Sequence, residues 1–85
     1  MTRTVILDGA RTAFGKFGGA LSSLTAADLG GVAIKGALNR ANVAPDEVNQ
    51  VIMGTVLQAG QGQIPSRQAA AKGGIPFNVK TETIN

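Results

Sequence analysis

The sequence predicts an α/β fold with parallel strands, in the order strand, helix, strand, helix, strand. Three observations carry that expectation. Apolar runs at Thr4 to Leu7 and at Gln50 to Leu57 are consecutive rather than alternating, as in strands covered on both faces. A segment with helical periodicity lies between them. A second short helical segment then separates the middle strand from a β-branched run at Val79 to Asn85.

Each element has its own local grounds. Thr4 to Leu7 is bounded by Asp8-Gly9, a turn signal. From Ala10 to Ser23 there are three glycines and two phenylalanines, which predicts a close-fitting loop anchored on the core by Phe14 and Phe17. Thr25 to Ala41 reads as a helix. Thr25 and Asp28 form a capping-box variant, and Leu24 and Leu29 occupy the positions of a hydrophobic staple. At 100° per residue, Ala27, Gly30, Gly31, Ile34, Ala37, Leu38 and Ala41 share one face, whose small residues admit a close neighbour. Asn42 supplies a stop, and Pro45 opens a turn with Asp46 and Glu47 at its amino end.

Val51, Ile52, Met53 and Val56 make the second strand, in which Gly54 marks a close backbone approach. A loop of Gln and Gly follows from Gln58 to Gln63. Pro65 to Lys72 is the second helix, with Pro near its first position, three alanines, and Gly73-Gly74 as the stop. Pro76 bars its continuation. The β-branched residues at 79, 81, 83 and 84 make the last strand.

Composition excludes much chemistry. The chain has no His and no Cys, which removes a Ser–His–Asp triad, a thiol nucleophile, an imidazole base and a zinc site built from these residues alone. Five carboxylates are scattered, without an acid/base pair or an oxygen cage. The net charge of +3 comes from Lys and Arg placed singly, with no Tyr or Trp for base stacking, so nucleic acid is not an expected partner. The apolar run after Arg3 is too short for a secretory leader, and no stretch approaches the ~20 apolar residues of a membrane helix. The expectation is a cytoplasmic protein with no membrane contact. Thirteen of the hydrophobic residues are Ala and only three residues are aromatic, against twelve glycines. That is little bulk for a self-sufficient core.

Local motifs mostly reduce to ordinary roles. Gly15-Lys16 fails as a phosphate loop, because Ala10 and Phe17 stand where Gly and Ser/Thr are needed. Gly60-Gln61-Gly62 fails as a dinucleotide fingerprint, because position 65 is Pro. Ser66 and Lys72 are six residues apart on one helix and face different ways, so they make no Ser–Lys dyad. Asp46-Glu47 is read as a solvated helix start. Arg11 and Arg67 follow glycine-containing stretches, and structural ion pairs are expected for both.

Three blocks in order carry a family resemblance. TVILDGARTAFGKFGGAL, from Thr4 to Leu21, resembles the opening of the thiolases, the acetyl-CoA acetyltransferases, whose pattern is a first strand followed by A-R-T-P-x-G-x-F-x-G-x-L. GTVLQAGQGQIPSRQAA, from Gly54 to Ala70, resembles their G-x-V-x-x-A-G-x-G-Q-N-P-A-R-Q-A-A. Ile75 to Asn85 is similar to their G-x-P-x-x-x-x-x-x-T-x-N run. Departures fall at Ala13 for Pro, Ile64 for Asn and Ser66 for Ala. The loss of Asn at 64 removes a helix cap, and Ser66 or Gln63 is expected to take over that duty.

The resemblance implies the first strand-helix-strand-helix-strand portion of the N-terminal core domain of a layered αβαβα fold. Residues 1–85 are then a partial domain that does not stand alone. It implies acetyl transfer between acetyl-CoA and a Cys, then Claisen condensation to acetoacetyl-CoA, or the reverse thiolysis, in fatty acid metabolism. In this family the nucleophilic Cys follows the run ending at Asn85, and the His, the second Cys and the coenzyme A loop lie further along. No catalytic, cofactor-binding or metal-binding residue is therefore carried onto this stretch, which alone is expected to be inactive. Coenzyme A thioesters are substrates of the intact enzyme. The implied partners are the rest of the same polypeptide and further copies of it, a dimer or homotetramer assembled through the strand Val79 to Asn85. Gln63, Arg67 and Asn85 are the candidates for supporting the Cys loop or that interface. The alternative is a small non-catalytic α/β module that binds a partner through its exposed edge strand.

Overall fold

A computed structural model describes residues 3–85. Met1 and Thr2, on which the reading against a leader opens, lie outside the described residues. Four elements form: α1 (Ala26–Ala41), β1 (Gln50–Gly54), α2 (Pro65–Lys72) and β2 (Lys80–Ile84), with a 3₁₀ turn at Pro45–Glu47. The strands pair in parallel, Gln50 opposite Lys80 through Gly54 opposite Ile84. The α/β class and the parallel arrangement are those expected.

α1 begins as its sequence dictates. Thr25 Oγ1 accepts from the Asp28 amide at 3.0 Å, and Asp28 Oδ2 accepts from the Thr25 amide at 3.0 Å, a complete capping box. It ends at Asn42, whose φ of 58° is left-handed, a conformation Asn tolerates well. The Val43 amide then returns to the Leu38 carbonyl at 3.0 Å. α2 ends in the same way. Gly74, at φ 87°, lets the Ile75 amide reach the Ala70 carbonyl at 2.9 Å. Glu47 closes the 3₁₀ turn by accepting from the Ala44 amide at 2.9 Å.

The core sits where the two helices and the sheet meet. Val51, Ala70, Ile75 and Val79 are buried together, with Ile34, Leu38, Val48 and Met53 packed around them. The helices approach backbone to backbone. A Cβ on Gly31 would lie 2.7 Å from Lys72 Cβ and 2.9 Å from its carbonyl carbon, and one on Gly73 would lie 2.8 Å from Ile34 Cγ2. The small-residue face of α1 therefore serves the close contact its sequence anticipates.

Four expectations are corrected. Thr4 to Leu7 forms no regular structure and pairs with no strand, and Ile6 is 95% exposed. A lone strand cannot satisfy its own backbone groups, and no neighbouring strand lies beside it among the described residues. Phe14 and Phe17 do not anchor their loop, being 91% and 106% exposed. β1 ends at Gly54 and alternates in burial, with Val51 buried and Ile52 exposed, because only one face of the sheet is covered by helices; Val56 and Leu57 lie out in the loop. Gly54 makes no close approach, since an added Cβ would stand 4.0 Å from the Ile84 carbonyl oxygen, an ordinary contact.

One ion pair joins the helices. Lys72 Nζ lies 2.7 Å from Asp28 Oδ1. The hydrogen bond from Lys72, followed by that from the Thr25 amide, holds the Asp28 carboxyl down at about 2 from its ordinary 3.8. A depressed folded-state pKa contributes stability that is complete above the unfolded value and is lost as pH falls through the folded one. Acid denaturation of a polypeptide containing this chain should therefore show a loss of stability between about pH 4 and 2 that Asp28→Asn removes. The difference should shrink at high salt, because the pair is exposed. Melting temperatures of both proteins across that range, at two ionic strengths, check it.

Candidate functional site

In open parallel sheets, ligands bind beyond the carboxyl ends of the strands. Here that end gathers Gly54 at the end of β1 and Thr55 after it, Ile84 and Asn85 at the end of β2, and the amino end of α2. The Thr55 amide donates to the Ile84 carbonyl at 2.8 Å, extending the ladder one step past β1. A cleft of about 90 Å³ opens beside it, lined among others by Met53, Thr55, Gln61, Pro65 and Thr83. Small-molecule pockets run to several hundred Å³, roughly 300–1,000 Å³, so this cleft encloses no large ligand unaided.

The start of α2 is held from outside the helix. Ile64 precedes it at φ 48°, in the left-handed region, and caps nothing. Neither Ser66 nor Gln63 caps it in place of the missing Asn, which corrects the sequence expectation. The Ser66 amide donates to Thr83 Oγ1 at 3.2 Å, and the Thr83 hydroxyl donates to Ser66 Oγ at 2.6 Å. Ser66 is fully buried with its hydroxyl taken by Thr83, and the Arg67 and Gln68 amides go to the Ile64 carbonyl instead, at 3.0 and 3.3 Å. Thr83, on a strand 17 residues later, supplies the cap.

The loop before α2 is fixed by amide side chains. Gln68 Nε2 donates to the Gln61 carbonyl at 2.7 Å and to the Gln63 carbonyl at 2.9 Å. Gln61 Nε2 reaches back to the Leu57 carbonyl at 2.6 Å. A β-branched residue in left-handed geometry carries strain. Ile64→Asn should accordingly raise the melting temperature, by an amount corresponding to about 1 kcal/mol from relief of strain. An unchanged or lower value would mean that the Ile64 side chain, 59% exposed here, is compensated by contacts elsewhere in a longer polypeptide.

Of the three residues the sequence singles out, Gln63 lies exposed in the loop before α2, and its carbonyl is held by Gln68. Arg67, in the first turn of α2, donates through Nη1 to the Phe77 carbonyl at 2.9 Å. Asn85 is exposed at the carboxyl end of β2. Among the described residues no hydrogen bond or ion pair joins any two of them. The ion pairs expected of the arginines do not form here: Arg67 meets a carbonyl, and Arg11 lies 5.5 Å over the Phe14 ring and donates to the Thr12 carbonyl. Sequence reasoning missed Thr83, Gln68 and Thr55, because each acts through a partner in another element or through the backbone.

The fold defines an α/β scaffold whose candidate functional edge is where β1 and β2 finish and α2 starts. The chain belongs to the thiolase family, as a match to the family model "Thiolase, N-terminal domain" over residues 4–85 shows. It is 58% identical over its whole length to an acetyl-CoA acetyltransferase of Cupriavidus necator and covers 22% of that protein. It is 53% identical to a mitochondrial acetyl-CoA acetyltransferase of Xenopus tropicalis, of which it covers 20%. A probable acetyl-CoA acetyltransferase of Mycobacterium tuberculosis is 54% identical, with 22% covered. The chain thus spans about a fifth of the length of these relatives.

Proposed function

We propose that this chain is the N-terminal scaffold of an acetyl-CoA C-acetyltransferase. The intact enzyme takes an acetyl group from acetyl-CoA onto a Cys thiolate and releases coenzyme A. It then joins that acetyl group to the deprotonated methyl carbon of a second acetyl-CoA, with return of the thiolate; thiolysis is the reverse. The observation that supports this most is the match over residues 4–85 to a thiolase domain, together with the acetyltransferase names of the relatives.

This stretch, with neither Cys nor His, contributes no nucleophile and no imidazole base. The reading places the Cys in the polypeptide after Asn85, at a helix amino end that favours the thiolate. Gln63, Arg67 and Asn85 then support its loop or an interface between copies through β2, in a cytoplasmic homo-oligomer. The test is the full-length polypeptide assayed with acetoacetyl-CoA and free coenzyme A. Coenzyme-dependent formation of acetyl-CoA is expected, abolished when the first Cys after Asn85 is changed to Ser, while the 85-residue chain alone gives none. A full-length polypeptide without a Cys a few residues after Asn85, or one inert in this assay, overturns the proposal.

A further inference from the structure

The last two residues of β2 are held from two sides. The Thr83 hydroxyl bonds both the amide and the hydroxyl of buried Ser66, at 3.2 and 2.6 Å. The Ile84 carbonyl accepts from the Thr55 amide at 2.8 Å. One bond set fixes the height of the strand end against α2, and the other fixes its lateral position against the end of β1.

Burial alone does not call for this chemistry. Thr83 is half-buried on a strand and lines the cleft beside Ala69, where an isosteric Val would pack as well and have comparable strand preference. Apolar contact is non-directional, whereas a hydroxyl pair has a set length and angle. The pair therefore supplies position. Ser66 adds to it an oxygen that the similar family pattern, with Ala at this place, does not have.

We infer that Thr83 and Ser66 are positioning residues: together they set where the chain leaves β2, and so where the residues that follow it meet the functional edge. This rests on the acetyltransferase reading above. The pair acts through the backbone and touches no reacting atom.

The experiment compares full-length wild type with Thr83→Val, Thr83→Ser, Ser66→Ala and the Thr83→Val/Ser66→Ala double variant. Thiolysis kcat and KM are measured well below the lowest melting temperature of the set. Small displacements at a reacting centre are expensive in rate, so Thr83→Val should lower kcat about tenfold while KM stays within about twofold. Thr83→Ser, which keeps the hydroxyl, should restore most of the activity. Ser66→Ala should lose part of it, and the double variant should be no worse than Thr83→Val, since both act through one bond set. A Thr83→Val enzyme with wild-type kcat overturns the inference, as does a Thr83→Ser enzyme equally impaired.

If Thr83→Val does not fold, Ser66→Ala decides, because Ala is the residue of the family pattern there; an unchanged kcat then overturns the inference. If wild type itself is inert, the acetyltransferase reading fails separately. The positioning role is then judged by amide exchange from Ile84 onward, which Thr83→Val should accelerate about tenfold if the pair holds the strand end; unchanged exchange overturns it.

Discussion

Heated alone in solution, the 85-residue chain should show no cooperative loss of ellipticity. Its accessible surface is 6536 Å². A compact monomer of its 8.6 kDa mass exposes only about 4,700 Å². The excess is largely apolar: Val5, Ile6, Leu7, Phe14, Phe17, Val56, Leu57 and Phe77 all stand more than half exposed. The apolar residues buried instead are few among the described residues: Val51, Ala69, Ala70, Ile75 and Val79. Two parallel strands under two helices bury too little to offset the ordering of 85 residues. A cooperative melt by circular dichroism would reverse this expectation and favour a self-sufficient binding module.

Gly31→Val should be the most damaging single change at the helix contact. In a solvent-exposed helix, replacing Gly gains about 1 kcal/mol in propensity when the new residue is Ala. At Gly31 the sign inverts, because the first added carbon already lies 2.7 Å from Lys72 Cβ and 2.9 Å from backbone. Neither obstacle is a flexible side-chain end. Gly31→Ala should thus destabilise a full-length polypeptide by about 1–3 kcal/mol, and Gly31→Val, with two further methyl groups, should prevent accumulation of folded protein. Gly36→Ala is the internal control. Its added carbon meets only Ala10 Cβ, at 3.2 Å, in a segment with no regular structure that can shift aside. Gly36→Ala should be neutral or stabilising. Thermal melts of the three variants check both signs.

What could be read from the sequence follows from the range of the forces involved. Caps and stops are local. Thr25 with Asp28 starts α1, Asn42 ends it, and Gly73 with Gly74 ends α2, as their order along the chain implies. The small face of α1 was legible too, because helical period alone places Gly30, Gly31 and Ile34 together. Thr4 to Leu7 has the composition of a strand, yet pairing needs a neighbour that no local pattern provides. Burial of β1 failed for a related reason: consecutive apolar residues announce two covered faces, and the described residues cover one. At the candidate site, the departures at 64 and 66 were visible in the sequence, but the compensating group was Thr83. A cap supplied from a distant strand leaves no spacing signature.

The register of the sheet has a consequence for biosynthesis. Each residue of β1 meets a partner thirty positions later, as Gln50 meets Lys80. At a translation rate of about 5–20 residues per second, β1 waits roughly 2–6 s on the ribosome with both edges open. During that interval Val51 and Ile52 are an adhesive ribbon on the nascent chain. A chaperone that occupies such ribbons should be most needed there, before the codon for Ile84 has been read.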